Sequence, residues 1–350
     1  MVKRIENLRA KFDTLGVEAV LITSRANHRY FTKFDNEDGY LLITKDRALA
    51  YEDFRYAEIA EKLLAPTYTI YQAFPFCDIV RELGIKSIGI EGEHMSLNVY
   101  NMYKNMLPNM EFVDVSNAIL SLRQVKDEWE IAQIRKAQEI TDLAFEHILG
   151  IISTDISETD VAAELEYFMR KHGAEDKSFE TISISAEKTS LPHGVPENRK
   201  IQRGFFTMDF GATVNGYHSD MTRTVCVGKA SLEMKELYNT VLEAQLAGLE
   251  YLKNGGRSCF EADNIAREII YKNYKGYFGH SLGHSVGLDI HEQPALSPKS
   301  DKILLTGNVV TVEPGIYIPS KFGCRIEDLV VILENGIENL TKSPKNLIEL

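Results

Sequence analysis

Cysteine is scarce in this sequence: Cys77, Cys226, Cys259 and Cys324 are the only four in 350 residues, and none forms a Cys-x-x-Cys pair. That spacing excludes a disulfide framework and a thiolate zinc site, and leaves four reduced thiols. No stretch approaches the roughly 18 consecutive apolar residues of a membrane span. The N-terminus, Met1-Val-Lys-Arg-Ile-Glu-Asn-Leu-Arg9, is charged and lacks the apolar centre of an export signal, so a cytoplasmic location without membrane contact is expected. Positive charge is also short. Lys and Arg number 39 against 51 Asp and Glu, a net charge of −12, and no basic stripe with interleaved aromatics offsets it. Such a surface repels a phosphate backbone, which excludes nucleic acid as an expected partner.

What is present is a globular composition, 44% hydrophobic and 26% charged, in a chain longer than one core usually supports. Two domains are therefore expected. Ile5, Leu8, Phe12 and Leu15 recur at helical spacing and stop at Gly16, which predicts one helix closed by a glycine cap. Strand-like runs follow at 17–23, 40–44, 47–51 and 87–92, separated by helix-like stretches such as 56–64. The first third reads as a modest α/β domain with no His/Asp/Glu cluster and no glycine-rich phosphate loop. Oligomer contacts, a homodimer in particular, or cover for a site elsewhere are its expected roles.

Near Val125 the pattern becomes one long amphipathic helix, with Ile131, Ile134, Ile140, Ala144, Phe145 and Ile148 on a common side and Asp127 near its start. The boundary is set at about residue 124, giving domains 1–124 and 125–350. After a second helix around 158–172 the chain becomes mostly strands with glycine-punctuated turns, interrupted by a helical stretch over 231–274.

Two segments of that region look like diverged copies. Gly204-Phe-Phe-Thr-Met-Asp209-Phe-Gly211 and Gly307-Asn-Val-Val-Thr-Val-Glu313-Pro-Gly315 each run from a glycine through an apolar strand to one carboxylate, and a second strand with another acid, Asp220 or Glu327, is expected after each. If Asn215-Gly216 is a two-residue turn, Val214 pairs with Tyr217 and Asp209 lies across from Thr222. Asp209 and Asp220 are then diagonal neighbours on one face. Each acid alone reads as a salt-bridged or surface carboxylate. Together, four like charges on apolar strands with no Lys run nearby call for cations, and two divalent ions would balance them. Between the two acid pairs lies Gly279-His280-Ser-Leu-Gly-His284-Ser-Val-Gly-Leu-Asp-Ile-His291-Glu-Gln-Pro294, so the order is acid, acid, histidine-rich segment, acid, acid.

With these motifs the sequence resembles the metallopeptidase family that contains prolidase, aminopeptidase P and methionine aminopeptidase. The matching segments are Met-Asp-Phe-Gly, Ser-Asp-Met-Thr-Arg-Thr, Gly-His-Ser-Val-Gly-Leu-Asp-Ile-His-Glu-Gln-Pro, Thr-Val-Glu-Pro-Gly-Ile-Tyr and Arg-Ile-Glu-Asp. The resemblance covers residues 125 to about 331, while 1–124 matches the proline-specific members and creatinase in length and pattern. It implies an α+β chain, a pita-bread (creatinase/aminopeptidase) catalytic domain preceded by a smaller α/β creatinase-like domain. It also implies that Asp209 binds one metal ion, that His284 and Glu313 bind the other, and that Asp220 and Glu327 bridge them. Glu313 is the implied proton carrier, and His193 and His291 are the implied substrate-binding imidazoles. Ser285 departs from the glycine more usual after the ligand histidine, which lowers backbone freedom there. His218 and Arg325 are expected to orient ligands at most, and His280 is a weaker candidate.

Four carboxylates and one imidazole form a hard site that favours Mn²⁺, with Co²⁺, Fe²⁺ and Zn²⁺ as alternatives. The separate first domain favours Xaa-Pro peptidases over methionine aminopeptidases, which generally lack it. The expected partners are therefore short peptides with proline in second position. Some prolidases carry an arginine just after His-Glu-x-Pro to hold a dipeptide carboxylate. Here that place is Ala295, which favours longer substrates as well. A methionine aminopeptidase-like enzyme, a non-catalytic pita-bread binding protein and the metal-free creatinases are the alternatives. Intact ligand types and the acidic charge argue against the binding protein, and the five-ligand set argues against a creatinase.

Overall fold

Short apolar runs in the first third pair into one mixed sheet. The computed structural model of the chain describes residues 1–73 and 75–350, and these divide into units Met1–Arg123 and Gln124–Leu350. In the first unit the strands are β1 (Ala19–Ile22), β2 (Tyr40–Thr44), β3 (Ala48–Tyr51), β4 (Thr69–Tyr71), β5 (Ser87–Ile90) and β6 (Glu111–Asp114), in the order β4-β3-β2-β1-β5-β6. The centre is antiparallel and both edges are parallel. All four β1 residues are buried, which is why the strand reads as an unbroken apolar run.

The single first helix predicted up to Gly16 is two: α1 (Val2–Arg9) and α2 (Phe12–Leu15). The Lys11 amide turns back to the Leu8 carbonyl, yet Leu8 and Phe12 both stay buried. The apolar period therefore survives a break it cannot reveal. Gly16 closes α2 with φ of 68°, as its spacing suggested. The unit continues with α3 (Arg25–Thr32), α4 (Ala57–Leu64), α5 (Phe76–Glu82), α6 (Leu97–Met106) and α7 (Ser116–Gln124). It also holds a buried pair absent from the sequence reading, His28 Nε2 at 2.9 Å from Glu52 Oε1, whose partners lie 24 residues apart.

In the second unit α8 (Glu128–Leu149) begins at Asp127, whose side chain accepts the Glu130 amide while Glu130 accepts the Asp127 amide. Ser157 and Asp160 make the same capping box for α9 (Glu158–Lys171). These helices cover β9 (Gly204–Phe210), β10 (Ala212–Val214) and β12 (Met221–Val227) through Ile140, Phe145 and Leu165 against Phe206, Met208 and Val225. The helical stretch expected over 231–274 is likewise two helices, α10 (Leu232–Lys253) and α11 (Cys259–Tyr274), parted at Gly255 with φ of 88°. They cover β15 (Val309–Val312) and β18 (Asp328–Leu333), beside which runs β13 (Gly283–Ser285).

The remaining strands are β7 (Asp176–Lys177), β8 (Ile182–Ser185), β11 (Tyr217–His218), β14 (Glu292–Leu296), β16 (Gly315–Ile318), β17 (Phe322–Arg325) and β19 (Gly336–Asn339). They complete sheets ordered β12-β9-β8, β11-β10-β7 and β14-β13-β15-β18-β19, with β16-β17 as a separate pair. Two helix-backed halves thus meet where the Glu327 amide donates to the Thr222 carbonyl at 3.1 Å. Asp220 and Glu327 do not sit within second strands as expected. Each lies in the residue just before one, β12 and β18. The halves also differ in register: Asp209 faces Thr222, whereas the β15–β18 ladder ends at Val312–Asp328 with Glu313 and Glu327 following it on the same level. No described helix is long and apolar enough to cross a membrane.

Candidate metal centre

Asn215 and Gly216 have φ of 49° and 77°, the double positive a two-residue hairpin turn demands. They fix Val214 opposite Tyr217 and, farther down the same hairpin, Asp209 opposite Thr222. On the other half, Gly283 lets β13 approach β15 closely, because a Cβ there would lie 2.0 Å from the Thr311 carbonyl oxygen. That approach brings His284 beside Glu313. His284 Nε2 lies 3.4 Å from Asp220 Oδ2 and 3.3 Å from Glu313 Oε1. Asp220, His284 and Glu327 each offer an atom within 4.8 Å of the others. All five expected ligands line one cavity of about 470 Å³, together with His193, His280, His291, Phe179, Ile290 and Ala295.

The electrostatics are those of crowded, desolvated acids. Burial, then the neighbouring Asp209 charge, raises Asp220 to about 6 against the pull of His284. Burial and Asp220 raise Glu313 to about 7. Glu327 is pushed well above the carboxylate range by burial and by Asp220 and Glu313. Burial alone would lower His284, but the Asp220 hydrogen bond and the Glu313 charge raise it to about 9. Its Nδ1 donates to the Ser285 carbonyl at 3.1 Å, which leaves Nε2 aimed at the acids.

One cation lies among them, Arg325, the residue expected at most to orient a ligand carboxylate. Arg325 Nη2 contacts Asp209 Oδ2 at 2.6 Å, Nη1 donates to the Tyr317 hydroxyl at 2.7 Å and Nε to Thr222 Oγ1 at 2.9 Å. Thr222 in turn donates to Glu327 Oε2 at 2.7 Å, and Thr311 to Glu313 Oε1 at 3.0 Å. The fully buried Arg223 donates to the backbone carbonyls of Thr222 and Glu327. Tyr317, Thr311 and Arg223 were not singled out from the sequence. Only the shared strand face of Thr311 and Glu313, two residues apart, signalled any of them.

His280 is held by Tyr317 at 3.0 Å and the Ser281 carbonyl at 2.8 Å, and burial with the Arg325 charge lowers its pKa to about 4. His218 bonds Thr213 and the Leu288 carbonyl, both at 3.1 Å, so it ties its strand to the loop before His291. His193 and His291 stand exposed at the rim, the His291 ring 4.4 Å from that of His284. Glu292, buried, accepts from the Leu288 and Asp289 amides and from Lys126 Nζ at 2.9 Å, bracing the loop before His291. Ser285 has no positive φ, so its position never required glycine, and its hydroxyl donates to the Pro294 carbonyl at 2.9 Å.

Asp209 Oδ1 and Glu327 Oε1 are buried without a hydrogen-bond partner among the described residues. An orphaned carboxylate oxygen in this setting is costly unless a cation meets it. Two such oxygens in one acidic cavity, with an imidazole nitrogen beside them, fit divalent metal ions.

The comparisons with known proteins agree with this geometry. Residues 132–334 match the model of metallopeptidase family M24, and residues 4–125 that of the creatinase/prolidase N-terminal domain. The Xaa-Pro dipeptidase of Pyrococcus furiosus is 38% identical over 99% of this chain and 100% of its own. A solved Xaa-Pro dipeptidase from Bacillus anthracis superposes with a TM-score of 0.94 at 44% identity, covering 100% of this chain and 99% of that one. An X-Pro aminopeptidase from Thermotoga maritima gives 0.90 at 38% identity, over 97% and 100%. The pita-bread architecture implied by the motifs is therefore the observed one. The chain belongs to metallopeptidase family M24, as an Xaa-Pro peptidase whose catalytic domain follows a creatinase/prolidase N-terminal domain.

Proposed function

We propose that the chain hydrolyses the bond between an N-terminal residue and a following proline, using two divalent ions, Mn²⁺ foremost, held by Asp209, Asp220, His284, Glu313 and Glu327. The observation that carries this reading is the convergence of four carboxylates and one imidazole, two of their oxygens orphaned, in a single cavity. When bound, two such ions supply a water acidified towards neutrality and a Lewis acid for the scissile carbonyl. The chain's own residues do the rest. Glu313 accepts a proton and returns it to the leaving nitrogen. His193 and His291 donate to the oxygen that gains charge. The acidic cluster receives the substrate ammonium, and Phe179 and Ile290 give the proline ring an apolar wall.

Among the relatives, two carry the name dipeptidase and one aminopeptidase. Ala295 lines the cavity where some prolidases place an arginine, and this supports acceptance of peptides longer than two residues. The test is a panel of Met-Pro, Met-Pro-Xaa and Met-Ala substrates, free and N-acetylated, with Mn²⁺ or Co²⁺. Free Xaa-Pro substrates are expected to lead by at least about tenfold in kcat/KM, or 1.4 kcal/mol. Equal cleavage of Met-Ala and Met-Pro would move the reading to a methionine aminopeptidase.

A further inference from the structure

His193 is exposed, and among the described residues its ring has no hydrogen-bond partner. An exposed imidazole of that kind is aimed only as well as the backbone beneath it is held. That backbone, 191–199, is a loop between the 3₁₀ turn Ala186–Ser190 and β9, with Leu191 and Val195 open to solvent on either side of the histidine. No apolar packing of those two side chains can fix it. Two cations do reach its carbonyls. Arg325 Nη1 lies 3.3 Å from the Pro192 oxygen, and Lys188 Nζ donates to the Val195 oxygen at 2.8 Å.

Lys188 is nearly buried and is itself anchored by the fully buried Glu158, Nζ to Oε2 at 2.8 Å. Glu158 sits in the first turn of α9 and gathers the loop's far end as well. It accepts the Glu197 amide at 3.2 Å and Arg199 Nε at 3.2 Å, and its own amide donates to the Arg199 carbonyl at 3.1 Å. On its other oxygen it takes the Ser185 amide and hydroxyl at 2.9 and 2.8 Å, which fixes the end of β8. Burial would raise the Glu158 pKa, but the hydrogen bonds from Lys188 and Ser185 hold it below its ordinary value. One carboxylate thus ties both ends of the His193 loop to the start of α9.

We propose that Glu158 and Lys188 form a positioning clamp that aims His193 into the metal cavity through the Val195 carbonyl. They touch neither substrate nor ligand carboxylates, and they act through another residue. The inference rests on the role given to His193 above. A loop slip of about 1 Å in a substrate-orienting group can cost on the order of 10²-fold in rate.

The test compares His193→Ala, the charge-free pair Glu158→Gln with Lys188→Met, and the triple variant, each Mn²⁺-loaded with its metal content measured. Removing both charges leaves no buried ion unpaired, so the double variant is expected to fold. It should retain metal and lose roughly tenfold to 10²-fold in kcat with KM little changed. The triple variant should be no slower than His193→Ala, because a misaimed imidazole and an absent one are lost only once. A purely structural role would lower Tm and multiply with His193→Ala. Such multiplication, or native kcat in the double variant while His193→Ala is slow, overturns the clamp and leaves the His193 assignment standing. Native kcat in His193→Ala overturns that assignment and the clamp with it.

Discussion

Glu327 is held through both its side chain and its backbone. One oxygen accepts from Thr222, the other is orphaned, and its own backbone is held by Arg223. It cannot turn away when a ligand is lost. Glu327→Gln, or Asp220→Asn, replaces a charge by an amide that bridges two cations poorly. Residues that merely support metal ligands typically cost 10–100-fold when removed, so loss of a ligand should exceed about 10²-fold in turnover. Metal analysis of the purified variants should show less than the parent content, and full content with near-parent turnover would sink the bridging assignment. His291 is the contrast. It stands exposed beside His284 without a hydrogen bond to any acid, so His291→Ala should keep the metal and lower kcat by about 10²–10³, the loss expected of one transition-state donor. Metal loss equal to that of His284→Ala would overturn this division. The sequence could single out the five proposed ligands at this scale because they stand in short motifs that resemble those of a known family. Tyr317 and the Arg325–Asp209 contact were not legible, because each depends on a neighbour from a different element.

At the scale of elements, local chemistry was the reliable guide. The Asn215-Gly216 turn, the Asp127 cap and the glycine stop at Gly16 all form as their residue types dictate, because each is satisfied within four residues. The misread elements are those whose apolar period runs through a break, α1–α2 and α10–α11. The turn also yields a prediction. Gly216→Ala forces a side chain into φ of 77°, at a cost of roughly 1–2 kcal/mol. In a unit the size of 124–350 that corresponds to a Tm lower by about 2–8 °C. Seven residue pairs between β9 and β12 hold the register independently, so metal content should be unchanged. Calorimetry with metal analysis checks both, and ions lost along with the Tm would mean that the turn sets the carboxylate spacing.

Across the whole catalytic unit, the meeting of two helix-backed halves is what builds the site, and the sequence could only hint at it through two glycine-to-acid strands. Which residues face each other across that seam depends on registers that differ between the halves. The seam concentrates charge, and so stability should depend on pH and on metal together. Stripped by a chelator, the folded site holds Asp220 near 6 instead of 3.8, Glu313 near 7 instead of 4.5, and His284 near 9 instead of 6.5. All three shifts are upward, so between about pH 4 and 9 these groups bind more protons in the folded state than in the unfolded one. Together they outweigh the opposite shift of His280 to about 4. Stability is then fully present below the unfolded values and is lost as pH rises through the folded ones. The stripped protein should therefore melt at lower temperature at pH 8 than at pH 5.5. Metal binding reverses the slope, because ions displace those same protons and bind more tightly as pH rises, by up to roughly tenfold per pH unit for each proton released. The Tm difference between Mn²⁺-loaded and chelated protein should widen from pH 5.5 to 8. A difference that stays constant or narrows over that range would show that the cluster does not hold its protons against the metal.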